Sequence, residues 1–321
     1  MRVLVTGRGS IAQRHARHLR ELIPRLNLAV VSSSGEIDAS FLPCTVFSHM
    51  GEALKWCPEA VVIASISSKH AQELQTCLSL GLPCLVEKPI VINHKQLASL
   101  KKIQQKKSDS TTVVGCNLRY LPALQKLKRA LNGDLPCKVL HAHLQVGQAL
   151  TQWRPSRDLS ATYSADAASG GGVVFDLVHE IDAACWLLGP VQVHAAIGGH
   201  FSDLPIRSDD VHVALLKTAS GTPVTVSLDY VSQQVVRGYD IVTDRGTFSI
   251  DIIGKTLIHH TENGRQIVTD NPEDFDIQQT YALQMADWLK AIADPTHPVR
   301  STLLDGLDTV ELMLTMKRLA S

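Results

Sequence analysis

The chain opens on an apolar run that turns through two glycines and passes straight into a helix-forming segment, Val3-Leu4-Val5-Thr6-Gly7-Arg8-Gly9-Ser10-Ile11-Ala12. A strand, a G-x-G-x-x-A turn and a helix in that order form the first half of a βαβ unit, which commits the start of the chain to a parallel sheet. Gly7 permits the tight turn, Gly9 lets the backbone approach a ligand, and Ala12 is small enough for close helix–strand packing. The helix N-terminus offers free N–H groups and the positive end of a macrodipole, so the turn reads as a cradle for a dinucleotide diphosphate. Arg8, Ser10 and Ile11 complete the candidate loop.

The second strand should end at the residue that reads the adenosine ribose. An acidic residue there selects NAD, and a basic or small polar set leaves room for the 2′-phosphate of NADP. Here Ser32-Ser33-Ser34-Gly35 comes first and Glu36 arrives late. That order favours NADP over NAD, with Arg8 or Arg14 as helpers, while Glu36 keeps NAD open.

Apolar runs at 2–6, 28–32, 60–65, 83–86 and 112–115 alternate with helical patterns at 11–22, at 69–80 closed by Gly81, and after the N-cap Asn93. Unalternating strands separated by helices imply a buried parallel sheet. Beyond a helix at 120–131 the pattern changes. Strands are expected at 138–147, 191–199, 210–217, 223–230, 236–243, 247–252 and 256–260, with turns at Asp244-Arg245-Gly246 and Glu262-Asn263-Gly264. Helices follow at 277–293 and 303–319. The expectation is an α/β chain with a doubly wound parallel domain over 1–118. An α+β domain with a large, mostly antiparallel open sheet follows over 119–321, and the C-terminal helix packs back on the first domain.

Composition narrows the class. Thirty-one basic and 31 acidic side chains cancel, so the basic face of a nucleic-acid protein is not expected. No apolar run approaches the ~18 residues of a membrane span, and the N-terminus lacks a signal-peptide core. Seven scattered cysteines, an odd number without C-x-x-C, argue against a disulfide framework or zinc ribbon. The pairs His141/His143 and His259/His260 lack partners at ligand spacing, so no metal is expected. A cytoplasmic protein follows.

Several ordered motifs then converge. The run Gly7–His15 (GRGSIAQRH), the segment Ala64–His70, Glu87-Lys88-Pro89 after a strand, Asn117-x-Arg119, and Gly170-Gly-Gly followed by Asp176 and His179-Glu180-Ile181-Asp182 resemble the Gfo/Idh/MocA family of NAD(P)-dependent sugar and cyclitol oxidoreductases. The resemblance covers nearly the whole chain. It implies a Rossmann domain, a C-terminal domain whose open sheet mediates a homodimer or homotetramer, and a small sugar-like substrate. By position it implies Lys88, Asp176 and His179 as the catalytic group. Ser65, His70, Glu87, Lys88 and Asn117 would lie on the cofactor, and Arg119 on the substrate. Two departures stand out: Ile66 replaces the usual proline, and Asp176 and His179 are three residues apart where four is common.

On a helical wheel at 100° per residue, a helix over 174–188 puts Val174, Leu177, Ile181, Ala184 and Leu188 on one stripe. His179 falls opposite, flanked by Asp176 and Asp182, which suits a general base rather than a packing histidine. The Lys88 ammonium suits a developing alkoxide. Between 151 and 166, Trp153, Arg154 and Tyr163 offer ring-stacking faces and a bidentate cation for a sugar acid or nucleotide sugar. Together with HEID, this segment resembles a branch associated with surface-polysaccharide or sialic-acid-like sugar biosynthesis. Tyr230, Arg237 and His212 lie on strands whose inward side alternation does not define. The leading reading is hydride transfer between nicotinamide and a secondary hydroxyl or keto group. The alternatives are a redox-neutral epimerase or lyase that retains its cofactor, and a non-catalytic dinucleotide-binding sensor.

Overall fold

The computed structural model of the chain describes residues 1–105, 111–133, 137–153 and 158–320. Two compact units emerge. The first comprises Met1–Asn117 with Gln278–Val310, and the second Leu118–Ile277 with Glu311–Ser321.

In the first unit, strands β1 (Arg2–Thr6), β2 (Asn27–Val31), β3 (Thr45–Phe47), β4 (Ala60–Ile63), β5 (Cys84–Val86) and β6 (Val113–Val114) form a sheet ordered β3-β2-β1-β4-β5-β6. Every pairing is parallel. Val3, Leu4, Val5 and Thr6 are all buried, as a strand covered on both faces requires. The chain winds outward from β1 to β3, then restarts at β4 on the other side of β1. The sheet therefore reverses direction between β1 and β4, the place where open α/β sheets bind ligands beyond their strand ends. Helices α1 (Ser10–Leu22), α2 (Met50–Leu54), α3 (Ser67–Leu80) and α4 (His94–Gln104) provide the crossovers. As the sequence suggests, Asn93 caps α4 by accepting the Gln96 N–H at 2.9 Å, and Gly81 ends α3 at a φ of 68°. The short β3 and α2 lie where no strand or helix was expected. Each has three to five residues, too few for a periodic signal.

The second unit carries α5 (Pro122–Asn132), α6 (Leu150–Trp153), α7 (Val173–Asp176) and α8 (His179–Leu188). Its sheet contains β7 (Val139–Gly147), β8 (Val191–Gly199), β9 (Val211–Thr218), β10 (Pro223–Asp229), β11 (Val236–Thr243), β12 (Gly246–Asp251), β13 (Thr256–Thr261) and β14 (Gly264–Thr269), in the order β14-β13-β12-β11-β7-β10-β9-β8. All neighbours are antiparallel except β7 and β10. The expected turns at 244–246 and 262–264 close hairpins, with Gly246 and Gly264 at φ values of 122° and 114°. One face of the sheet is buried through Leu144, Val226, Leu228, Tyr239 and Ile241. The opposite face carries His143, Thr225, Asp240 and Ser249, with Val213, Leu215 and Ile197 exposed toward the β8 edge.

The chain ends in α9 (Ile277–Ala293) and α10 (Leu303–Ala320). Met285 and Trp288 of α9 enter the core formed by Val3, Val5, Val30, Val62 and Leu85. No described helix is long and apolar enough to cross a membrane.

Candidate active site

Gly7 follows β1 with a φ of 90°, and a Cβ placed there would stand 2.4 Å from the carbonyl oxygen of Ala64. Glycine is therefore required twice, by its backbone angle and by the approach of the β4 end. Gly9 is the N-cap of α1 with open space around it, and Arg8, Gly9 and Ser10 are exposed. The first N–H groups of α1 have no side-chain cap. This cradle fits a diphosphate: a tight turn behind, open backbone donors in front, and the buried Ala12 beneath.

Around the cradle, Glu73 accepts hydrogen bonds from Thr6 Oγ1 at 2.7 Å and Ser65 Oγ at 2.8 Å, pinning the ends of β1 and β4. Past β2, Ser32 is buried and its hydroxyl donates to the Glu36 carbonyl at 2.6 Å, while Ser33 and Ser34 are exposed. The Arg8 guanidinium donates to the Glu36 carboxylate at 2.9 Å, so both groups weighed for the ribose end lie together at the surface.

The Glu87-Lys88-Pro89 tripeptide follows β5. Glu87 is buried, with its Oε1 2.7 Å from Nε2 of His15 on α1. Burial raises the Glu87 carboxyl, but the His15 hydrogen bond and the neighbouring His15, Lys88 and His70 charges outweigh that, leaving it below the ordinary carboxylate range. His70 is also buried, its ring nitrogens 2.8 Å from the Pro89 carbonyl and 2.9 Å from the Ser65 carbonyl. Lys88, between these two anchored residues, is half-buried. Asn117 is buried and donates to Thr280 Oγ1 at 2.6 Å.

In the second unit the glycine run leads into α7. Gly171 sits so close to the backbone that a Cβ would meet the Tyr163 carbonyl at 2.2 Å. Asp176, at the end of α7, is buried and accepts from Ser164 Oγ and Tyr230 Oη, both at 2.6 Å. Burial and the Asp176 carboxylate push the Tyr230 hydroxyl well above the ordinary phenol range, so it remains a donor. Half-buried His179 opens α8. The expected single helix over 174–188 is broken: Leu177 leaves helical geometry at φ −98°, ψ 34°, and Asp176 and His179 stand on separate pieces.

The wheel also misplaced the acidic residues. Asp182 does not flank His179 on an open face but is buried, accepting from Arg119 Nε at 2.9 Å and Nη2 at 2.7 Å. Glu180 is buried against Arg237 Nε at 2.7 Å and Tyr239 Oη at 3.1 Å. Arg119, expected on substrate, is thus a buried partner of α8, and Arg237 has the same role. His212 is buried, which holds its imidazole below the ordinary value. Trp153 and Tyr163 keep exposed ring surface, and Trp153 lies 6.1 Å from the Tyr230 ring. Arg154 lies outside the described residues. Sequence reasoning gave no role to Ser164, Glu73 or His15. His15 had a visible signal as the last residue of the GRGSIAQRH run, and Ser164 as a member of the Tyr163-Ser164-Ala165 run.

Comparison with known proteins places this geometry. Residues 1–115 match the family model of the oxidoreductase family with an NAD-binding Rossmann fold, and residues 124–249 match the GFO/IDH/MocA C-terminal domain. Inositol 2-dehydrogenase 2 of Paenarthrobacter aurescens is 28% identical, over 96% of this chain and 92% of its own length. UDP-N-acetylglucosamine 3-dehydrogenase GnnA from Acidithiobacillus ferrooxidans shares the fold with a TM-score of 0.78 at 21% identity, covering 100% of this chain and 97% of its own. So does the WlbA dehydrogenase from Bordetella pertussis, solved with NADH and UDP-GlcNAcA, with a TM-score of 0.80 at 16% identity and coverages of 100% and 95%. A dinucleotide cradle at the start of the chain, a buried Glu-Lys-Pro loop and a glycine-led Asp/His segment, matched by both family models, make this chain a member of the Gfo/Idh/MocA oxidoreductases.

Proposed function

We propose that this chain is an NAD(P)-dependent dehydrogenase or reductase acting on a secondary hydroxyl or keto group of a cyclitol, sugar or nucleotide sugar. The observation that carries the reading is the Glu-Lys-Pro loop, anchored through buried Glu87 and Pro89 so that Lys88 stands at the carboxyl end of the parallel sheet that holds the glycine cradle. The relatives that act on inositol and on UDP-N-acetylglucosamine support the substrate class.

The α1 N-terminus and Gly7–Ala12 hold the diphosphate, and Ser65 lines the cofactor side of β4. At the ribose end the exposed serines and Arg8 favour NADP, with Glu36 able to take the diol of NAD. When bound, the nicotinamide supplies or accepts the hydride. The Lys88 ammonium holds the reacting oxygen and stabilises negative charge as it develops there. His179 takes the hydroxyl proton in oxidation and returns it in reduction. Asp176, fixed by Ser164 and Tyr230, supports the imidazolium. Trp153, Tyr163 and Arg154 serve the sugar, the aromatic faces by stacking. The open face of the eight-stranded sheet pairs with a second copy to give a homodimer or homotetramer. The balanced charge argues against a nucleic-acid partner.

The test is a screen of cyclitols, sugar acids and nucleotide sugars for nicotinamide reduction by the wild type and by His179→Asn. The variant should bind cofactor normally and lose turnover by about 10²–10⁴-fold. Full turnover in His179→Asn removes that residue from the mechanism, and a wild type that binds neither cofactor overturns the reading.

A further inference from the structure

His15 lies on the apolar stripe of α1 with Ala12, Ala16 and Leu19, all fully buried. A histidine facing a buried carboxylate is a costly choice for such a stripe. Two apolar side chains of similar volume would pack there without the desolvation penalty of an ionic pair. The second ring nitrogen, Nδ1, has no hydrogen-bond partner among the described residues, so the 2.7 Å contact with Glu87 is the polar contact that burying the ring secures.

The surroundings show what the contact fixes. Glu87 Oε2 also faces the Lys88 backbone N–H at 3.4 Å. Gly115 leaves room for the carboxylate, since a Cβ there would stand 2.8 Å from Oε2. On the other side of Lys88, His70 grips the Pro89 carbonyl. His15 belongs to the helix whose first turn forms the cradle. Arg14, its neighbour, lies over the Tyr281 ring at 4.3 Å, and the same ring meets His15 edge-on at 6.3 Å.

We propose that His15 and Glu87 are a positioning pair, which ties the cradle helix to the Glu-Lys-Pro loop and fixes where Lys88 presents its ammonium. This rests on the catalytic role of Lys88 stated above. In this role the pair acts through the backbone of residues 87–89, with Glu87 Oε2 facing the Lys88 N–H. Its loss therefore appears in kcat rather than in cofactor affinity.

Three variants test it. His15→Leu removes the donor, His15→Gln supplies an amide N–H of similar reach, and Gly115→Ala displaces the carboxylate from the opposite side. Turnover, cofactor affinity by nicotinamide fluorescence, and amide exchange of the 84–91 backbone in the cofactor-free protein are measured. His15→Leu should lower kcat by about 10²-fold, the scale of a displacement near 1 Å, with cofactor affinity retained and exchange of 84–91 accelerated. His15→Gln should restore most of both. Gly115→Ala should reproduce the loss with His15 intact, which keeps the test decisive if His15→Leu does not fold. Unchanged kcat in Gly115→Ala, a His15→Gln enzyme as impaired as His15→Leu, or a loss confined to cofactor affinity overturns the proposal. Absence of cofactor binding by the wild type instead overturns the oxidoreductase reading, and is seen before any variant is made.

Discussion

At the scale of single residues, Glu87 carries the most definite chemical consequence. Its carboxyl lies below the reference value of 4.5 in the folded chain, despite burial, because His15 donates to it and positive groups surround it. A group whose folded pKa is depressed stabilises the fold fully above its unfolded pKa and ceases to do so as the pH falls through the folded value. The thermal stability of the wild type should therefore fall away below about pH 4.5. Glu87→Gln should be less stable at neutral pH and lose less on acidification over that window. Parallel melting curves for the two proteins would count against the pairing. Sequence reasoning could place Glu87 in its motif but not find its partner, which is 72 residues away on another element.

Among the elements, α8 shows where periodicity succeeds and where it misleads. Of the expected stripe, Ile181 and Ala184 on α8 are buried and Leu188 is half-buried, while Val174 and Leu177 are buried on the preceding piece. The opposite side, where Asp176 and Asp182 flank His179 on the wheel, was read as facing away from the core. Asp182 and Glu180 are both buried, because Arg119 and Arg237 arrive from chain positions 63 and 57 residues distant. A wheel registers polarity but not whether a distant cation will neutralise it. The same blindness hid the break at Leu177, which separates Asp176 from His179 and gives their three-residue spacing a geometric basis. The strands were more legible, since alternation along β10 and Gly turns after β11 and β13 are local signals. Removing one member of the α8 pair should be costly: Arg119→Met takes the guanidinium away from the buried Asp182 carboxylate, at about 3–5 kcal/mol. The double variant with Asp182→Leu should recover much of that loss. Denaturant unfolding of the three proteins decides it, and equal stability of the single variant and the wild type would mean that the pair is not buried in solution.

For the molecule as a whole, the first unit is not continuous in sequence. Met285 and Trp288 pack against Val3, Val30 and Leu85, and the Trp288 indole N–H donates to the Thr111 carbonyl at 3.0 Å. Neither the opening βαβ units nor the expected packing of the final helix points to α9, which begins at residue 277, as a helix that completes their core. A chain ending at Asn117 should accordingly lack a cooperative melting transition and fail to retain NADPH or NADH. Supplying residues 278–310 through a linker should restore both. Cooperative unfolding and cofactor retention by the short chain would show that the first unit does not need the C-terminal segment.

The glycine cradle should bind a nicotinamide dinucleotide, and titration of the purified wild type with NADPH and NADH measures this. Nicotinamide fluorescence reports binding, with Gly7→Ala as the comparison. Binding should be saturable, stronger for NADPH, and lost in Gly7→Ala, where a Cβ would stand 2.4 Å from the Ala64 carbonyl. Binding of neither nucleotide, with none released when the protein is denatured, would contradict it.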